Sequence, residues 1–265
     1  MEVKTSFLIM KAKKSLGQNF LVDKIVIDKI VNSLTASSRD LIIEIGPGRG
    51  ALTKKLKNKN AKLIAYELDD DLIPILKKYE DETTKIIHQD ILKANIKDDI
   101  KNLEFNRLFI IGNLPYYITT PIIKGLIDKN LEADEMIFMV QNEVADRFCA
   151  KDGTKNYSSI TLYLNYYYEL EKLFIVNKNS FNPVPKVDSA IIRMKKRLAK
   201  PIVDEEKYFK LINDAFSQKR KTLKNNLKAY DFEKISKILS EYGLSNQARA
   251  EELSEEIFIR IANSL

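Results

Sequence analysis

Residues 41–53 read LIIEIGPGRGALT: an apolar run broken by one acid, a turn with three glycines in five positions, and the start of an amphipathic segment. That outline is a strand, a tight turn and a helix. It recurs downstream. KLIAYEL carries Glu67, KIIHQD ends on Asp90 and RLFIIGN ends on Asn113, and each polar residue lies 23 positions after the last, counting from Glu44. One buried strand, one helix and two short loops need about that many residues. The four runs are therefore expected to be successive parallel strands, each presenting one polar group at its carboxyl end. Open α/β sheets bind ligands at that edge.

Working outward, residues 23–34 place Ile25, Val26, Ile30, Val31 and Leu34 at helical spacing behind an Asp23 N-cap. Residues 69–79 and 121–127 read as helices, the second with Pro121 early in its first turn, where a missing N–H costs little. MIFMV (136–140) reads as a fifth buried strand and 142–150 as a helix. Residues 158–170 are a strand, or a helix running into one, and 187–194 alternate as a strand. The expected fold is α/β, a Rossmann-like and mostly parallel sheet with an antiparallel strand at the end. After Pro201 the periodicity is helical throughout, including KTLKNNLKAY (221–230), and Gly243 is an expected helix stop. Two domains are expected, 1–197 and a small all-helical 198–265.

The chain of 265 residues is 45% hydrophobic and 31% charged, which suits a soluble globular protein. No apolar run reaches the roughly 18 residues of a membrane span. The patch at 7–10 is too short for a signal sequence, so a cytoplasmic location is expected. Cys149 and His88 are the only residues of their types, which disfavours disulfides, metal sites and histidine acid–base chemistry. His88 is expected to be structural and Cys149 a small buried hydrophobe. The net charge of +7 is clustered: Lys11, Lys13 and Lys14; Lys195, Lys196, Arg197 and Lys200; Lys219, Arg220, Lys221, Lys224 and Lys228. Such clusters suit a polyanion, although lysine also serves simply to solvate helix faces. Tyr163, Tyr166, Tyr167 and Tyr168 could stack on bases, but core packing is the simpler reading.

The glycine turn followed by an acid 21 residues after Gly46 fits two cofactors, NAD or S-adenosylmethionine. Glu44 would either hydrogen-bond the glycine loop or meet the ligand directly. Three features favour S-adenosylmethionine: the spacing G-x-G-x-G, Asp90 at the third strand end, and Asn113-Leu114-Pro115-Tyr116 at the fourth. The tetrapeptide suits methylation of an exocyclic amine. The adenine N6 lone pair is delocalised into the ring. Acceptors on both N6 hydrogens, the Asn113 side-chain oxygen and the Leu114 carbonyl, would favour a pyramidal nitrogen and free the pair. Pro115 fixes the local backbone, and the Tyr116 ring offers the base a stacking face.

These stretches resemble the rRNA adenine N6-dimethyltransferases, most closely the KsgA/RsmA type acting on small-subunit rRNA. The resemblance rests on KKSLGQNFL (13–21), EIGPGRGALT (44–53), YELD (66–69), QDIL (89–92), GNLPYYITTPI (112–122), FNPVPKVDSAIIRM (181–194), FSQKRKTLKNNL (216–227) and the terminal RAEELSEEIFIRIANSL. It implies a class I methyltransferase sheet over 1–197 and an rRNA-binding helical domain over 198–265. It implies that Asn19, Leu21 and Gly46 line the methionine end of S-adenosylmethionine, with Gly48 in the same turn. Glu67 would hold the ribose, Asp90 the adenine, and Asn113 the boundary with the target base. Phe181 would face Tyr116 across a flipped adenine. Lys219, Arg220, Lys221 and Lys224 would meet RNA. The implied activity is dimethylation of two adjacent adenosines in a hairpin loop near the 3′ end of small-subunit (16S) rRNA. The implied partner is a small-subunit precursor, with no membrane, no metal and a monomeric enzyme. The family often has Asn after the tyrosine; Tyr117 here would narrow the pocket or alter stacking. Three other readings are a large-subunit rRNA methyltransferase, a non-enzymatic nucleic-acid-binding factor of the same fold, and a DNA adenine methyltransferase, which usually carries D-P-P-Y.

Overall fold

Asp23 caps the first helix as expected: its Oδ1 accepts from the backbone N–H groups of Ile25 and Val26 at 3.0 and 3.2 Å. That helix, α1 (Lys24–Ser33), turns Ile27, Ile30 and Val31 inward. Just before it, Phe20–Leu21 forms a short strand, β1. The computed structural model describes residues 12–265, so Lys11 and the apolar patch at 7–10 lie outside it.

The four runs at the 23-residue pitch are strands: β2 (Leu41–Ile45), β3 (Lys62–Glu67), β4 (Thr84–His88) and β5 (Leu108–Asn113). With β6 (Glu135–Gln141) they pair in parallel in the order β4-β3-β2-β5-β6. All of β2 is buried, as expected of a central parallel strand with no solvated face. The chain leaves β2 for β3 on one side and comes back to β5 on the other. This switch point lies at the carboxyl ends of β2 and β5. Between the strands run α2 (Ala51–Leu56), α3 (Ile73–Leu76), α4 (Ile96–Ile100) and α5 (Thr119–Asp128). Ile27 and Ile30 of α1 and Leu52 and Leu56 of α2 share one core with Ile42, Phe109 and Ile137 of the sheet. Residues 69–79, expected as one helix, are three short helical pieces instead. Pro74 lacks an N–H and falls where a continuous helix would need one, so the turns restart around it.

Four further elements follow: α6 (Asn142–Phe148), α7 (Ser159–Tyr167), β7 (Tyr168–Val176) and β8 (Phe181–Asn182). Residues 158–170 are thus a helix running into a strand. The last strand is β9 (Ser189–Lys196), which lies between β6 and β7. Asn142 N–H donates to Asp188 O and Arg197 N–H to Tyr167 O, so each end of β9 meets the opposite end of its neighbour. β9 is therefore antiparallel: last in the chain, but inside the sheet. β1 and β8 form a separate antiparallel pair, with Leu21 opposite Phe181.

The chain divides into two compact units. The first holds the described residues up to Asn142 and Leu173–Arg193, the second Glu143–Lys172 and Met194–Leu265. The second contains α8 (Glu205–Ala215), α9 (Leu223–Asn226), α10 (Phe232–Glu241) and α11 (Glu255–Ser264). Within it Tyr163, Tyr166 and Tyr167 pack on Phe209 at ring separations of 5.0–5.9 Å, so these tyrosines are packing residues. Residues 221–230 hold only the single turn α9. Thr222 caps it by accepting from Asn225 N–H, and the Asn226 amide donates to Ala215 O at 2.6 Å, folding the segment back on α8.

Phe109 is almost wholly buried at the centre of the sheet. Phe109→Ala should lower the unfolding free energy by about 3–5 kcal/mol, measured by chemical denaturation.

Candidate active site

The carboxyl edge of the parallel strands opens into a cavity of about 600 Å³. That lies within the range of small-ligand sites, about 300–1,000 Å³. The four pitch residues Glu44, Glu67, Asp90 and Asn113 all contribute to its wall. So do Asn19, Leu21, Gly46, Gly48, Leu114 and Tyr116. Ten of the eleven residues expected for cofactor and base thus line one cavity.

The glycine turn sets its floor. Gly46 and Gly48 have φ of +63° and +60°, a backbone that L side chains rarely adopt. A Cβ on Gly46 would stand 3.9 Å from Asn113 O, in the gap between the turn and the end of β5, which is left clear for a ligand. Gly48 N–H donates to Glu67 Oε2 at 2.9 Å, and Leu68 and Asp69 N–H both donate to Oε1 at 2.9 Å. A carboxylate offers about four lone-pair sites, so three are filled and one remains for a ligand hydroxyl. Burial raises the Glu67 carboxyl above its ordinary value, against the lowering effect of those N–H groups. Asp90 accepts from Leu92 N–H through Oδ1 at 3.0 Å and is half-buried in the wall.

Glu44 is fully buried, and that pushes its carboxyl up to about 8; Thr53 on α2 lowers it, while the nearby Glu67 raises it further. Its Oε2 has no hydrogen-bond partner among the described residues. An acid lining the cavity with an orphaned oxygen is a donor–acceptor site awaiting a polar ligand. The open cradle over Gly46, the spare lone pair on Glu67 and this orphaned atom together fit a nucleoside-bearing cofactor such as S-adenosylmethionine.

At the end of β5 the Asn113 Nδ2 donates to Asn19 O at 2.9 Å. The amide hydrogen end is thereby occupied, and Oδ1 is left as the acceptor. Leu114 N–H donates to Met139 O, carrying the sheet ladder one residue past the strand. Pro115 O accepts from Ile118 N–H and Thr119 Oγ1, which starts α5. The half-buried Tyr116 hydroxyl lies 2.7 Å from Ser189 Oγ, and burial raises its phenol pKa. Tyr117 is exposed and its ring covers Gly17, whose Cβ would lie 3.0 Å from the ring edge.

Phe181 is placed differently from the expectation. It is 2% exposed and packs in the core with Leu21, Val176 and Ile191, outside the cavity wall. Its neighbour across the β1–β8 pair is Leu21, and burying the ring there secures that cavity-lining residue.

Several contacts have no signal in the sequence. Lys13 Nζ meets Asp69, Asp70 and Asp71 at 2.5, 3.1 and 2.7 Å. These ion pairs raise the Lys13 pKa and occupy the one described carboxylate cluster tight enough for a cation. Gln18 Nε2 donates to Asp69 Oδ2 at 2.6 Å, and its Oε1 accepts from Lys13 N–H. Lys13 therefore belongs to a clamp holding the N-terminal segment over the cavity. Arg49 stacks on Phe20, 4.3 Å from the ring centroid. Elsewhere, exposed His88 has Nε2 3.2 Å from Leu68 O, and half-buried Cys149 has its thiol pushed up to about 11 by burial. Lys219, Arg220, Lys221 and Lys224 are exposed in and before α9; Lys219 Nζ donates to Lys155 O.

Glu44 makes stability depend on pH. Its folded pKa of about 8 exceeds the ordinary 4.5, so the folded state holds a proton the unfolded state releases between those values. The contribution to stability is whole below 4.5 and is lost as pH rises through 8. Glu44→Gln should therefore melt progressively higher than the unaltered protein from pH 5 to 8 and level off above, measured without cofactor.

The family model described as ribosomal RNA adenine dimethylase matches residues 9–265. The chain is 42% identical over 271 residues to a ribosomal RNA small subunit methyltransferase A of Bacillus cereus, covering 96% of this chain and 91% of that one. It is 41% identical to the protein of that name from Bacillus cytotoxicus, over the same shares. A dimethyladenosine transferase structure from Plasmodium falciparum matches with a TM-score of 0.79 at 26% identity, covering 92% of this chain and 96% of that one. The 23S rRNA methyltransferase ErmE shares the fold, with a TM-score of 0.74 at 24% identity over 93% and 99% of the two chains. With a match that leaves out only the first eight residues, the chain belongs to the ribosomal RNA adenine dimethylase family.

Proposed function

We propose that this protein transfers methyl groups from S-adenosylmethionine to N6 of two adjacent adenosines, two to each. The target is a hairpin loop near the 3′ end of small-subunit (16S) rRNA, met in a precursor of the small ribosomal subunit. The observation that carries this reading is the Asn113 amide, whose Nδ2 is fixed on Asn19 O at the rim of a cavity walled by Glu67, Asp90 and the glycine turn.

Asn19, Leu21, Gly46 and Gly48 would hold the methionine end of the cofactor, Glu67 the ribose and Asp90 the adenine. Bound there, S-adenosylmethionine supplies an electrophilic methyl on a sulfonium. Asn113 Oδ1 and the Leu114 carbonyl would accept from the two N6 hydrogens of the target and release its lone pair toward that methyl. Tyr116 would stack on the flipped base, its ring steadied by the Ser189 bond. Positioning and preorganised dipoles then supply the catalysis. Residues 198–265, with Lys219, Arg220, Lys221 and Lys224, would dock rRNA. The enzyme would act as a monomer on ribosomes in the cytoplasm. No helix among the described residues is long and apolar enough to cross a membrane.

Unmethylated small subunits should accept four methyl groups per rRNA, counted by mass spectrometry. Transfer to naked large-subunit rRNA instead would move the protein to the other branch of the family. Asn113→Ala should cut turnover about 10²–10³-fold while S-adenosylmethionine affinity, read by calorimetry, changes little. If about five lysines and arginines neutralise phosphates, log affinity for rRNA should fall with log salt at a slope of roughly −3.5 to −4.5.

A further inference from the structure

A second cavity, of about 640 Å³, adjoins the first. Gly17, Gln18, Asn19, Arg49 and Tyr116 line both. The two differ in their acids. The wall of the first includes Glu44, Glu67 and Asp90 together with Lys24, Arg49, Lys54 and Lys55, whereas the second is lined by Lys14, Arg49 and Lys186 and by no carboxylate. Lys14 and Lys186 are exposed, and neither has an ion-pair partner among the described residues. They come from the N-terminal segment and from the loop between β8 and β9, on opposite sides of Tyr116 in the chain. Pro183, Val184 and Pro185 give the second wall an apolar lip, with Val184 exposed.

We propose that this groove seats the sugar–phosphate backbone on either side of the flipped adenosine, with Lys14 and Lys186 each neutralising a phosphate. The inference rests on the RNA-methylating function above and adds a binding site for the flanking nucleotides. A base drawn in beside Tyr116 brings its neighbouring phosphates to the rim. The rim there is cationic and acid-free on the side away from the cofactor wall. Gln141 and Asn182 add carboxamides that can meet ribose hydroxyls. Val184 offers an apolar surface to a sugar. Arg49, already stacked on Phe20, completes the positive wall without needing to move.

The test uses the full chain and a fluorescent hairpin RNA with two adjacent loop adenosines, read by anisotropy across a salt series. The Lys14→Gln, Lys186→Gln double variant should weaken binding about tenfold and make the log–log salt slope shallower by about 1.4, or 0.7 per single-strand contact. Lys97→Gln, an exposed lysine on α4, should leave the slope unchanged. S-adenosylmethionine affinity by calorimetry should be the same in all three. A double variant with the slope of the unaltered protein would overturn the groove, as would a parallel loss of S-adenosylmethionine affinity, which would assign the lysines to the cofactor cavity. Failure of the unaltered protein to methylate, with the slope change intact, would overturn the proposed function and leave the groove standing.

Discussion

A carboxamide has one donating and one accepting end, and the donation of Asn113 Nδ2 to Asn19 O decides which end the cavity sees. The two residues are 94 positions apart, so the decision depends on whatever holds the N-terminal segment in place. Three separate ties do so. Lys13 and Gln18 grip Asp69 just beyond β3. Phe20 and Leu21 pair with β8, and Val22 N–H adds a bond to Ser180 O. The first acts before Asn19 and the other two after it, so the segment is held on both sides of that carbonyl. An acceptor aimed in advance has no reorganisation to undergo when a base arrives, the condition under which fixed dipoles are most effective.

The acids of this edge meet burial in different ways. Asp69 is nearly buried, and a buried carboxylate is costly unless paired. Lys13 supplies the pairing, and the cost of separating the two is what locks the segment. Glu67 is buried as well but is met by three backbone N–H groups. Glu44 has no comparable set of donors, and burial pushes it to about 8. Carboxyl groups thus line the first cavity only, beside Lys24, Lys54 and Lys55, while the charged residues of the second are cations alone. That suits the proposed polyanion, since a carboxylate in the second wall would repel phosphates.

Much of the frame was legible because parallel strands buried on both faces must be continuous apolar runs, and their spacing is fixed by the helix that returns the chain. The 23-residue pitch therefore led to Glu67 and Asn113 as strand ends, and β3 and β5 end on those residues. The rest lacked periodicity. β1 and β8 are two residues each, too short to alternate, and nothing in either motif says that they pair. Lys13 read as one cation among several because its partners lie 56 to 58 residues away. Phe181 was expected as a stacking ring only because the family resemblance implies it, and local sequence does not reveal which face of a two-residue strand turns to the core. Thr222 and Asn226 end the helical pattern early through side-chain bonds that composition does not display.

The reversed direction of β9 has a functional consequence. Parallel strands bring their carboxyl ends to the site, so an antiparallel strand brings its amino end there. Ser189, the first residue of β9, arrives at that edge beneath the Tyr116 hydroxyl. The loop just before it carries Lys186 to the rim of the second cavity, next to Asn182 at the end of β8 in the same wall. A parallel strand in the same place would put its first residue at the far edge of the sheet, away from Tyr116. One reversal thus delivers both the hydrogen bond that steadies the stacking ring and the cationic lip beside it. The strand that departs from the βα repeat is the one that joins the cofactor wall to the groove.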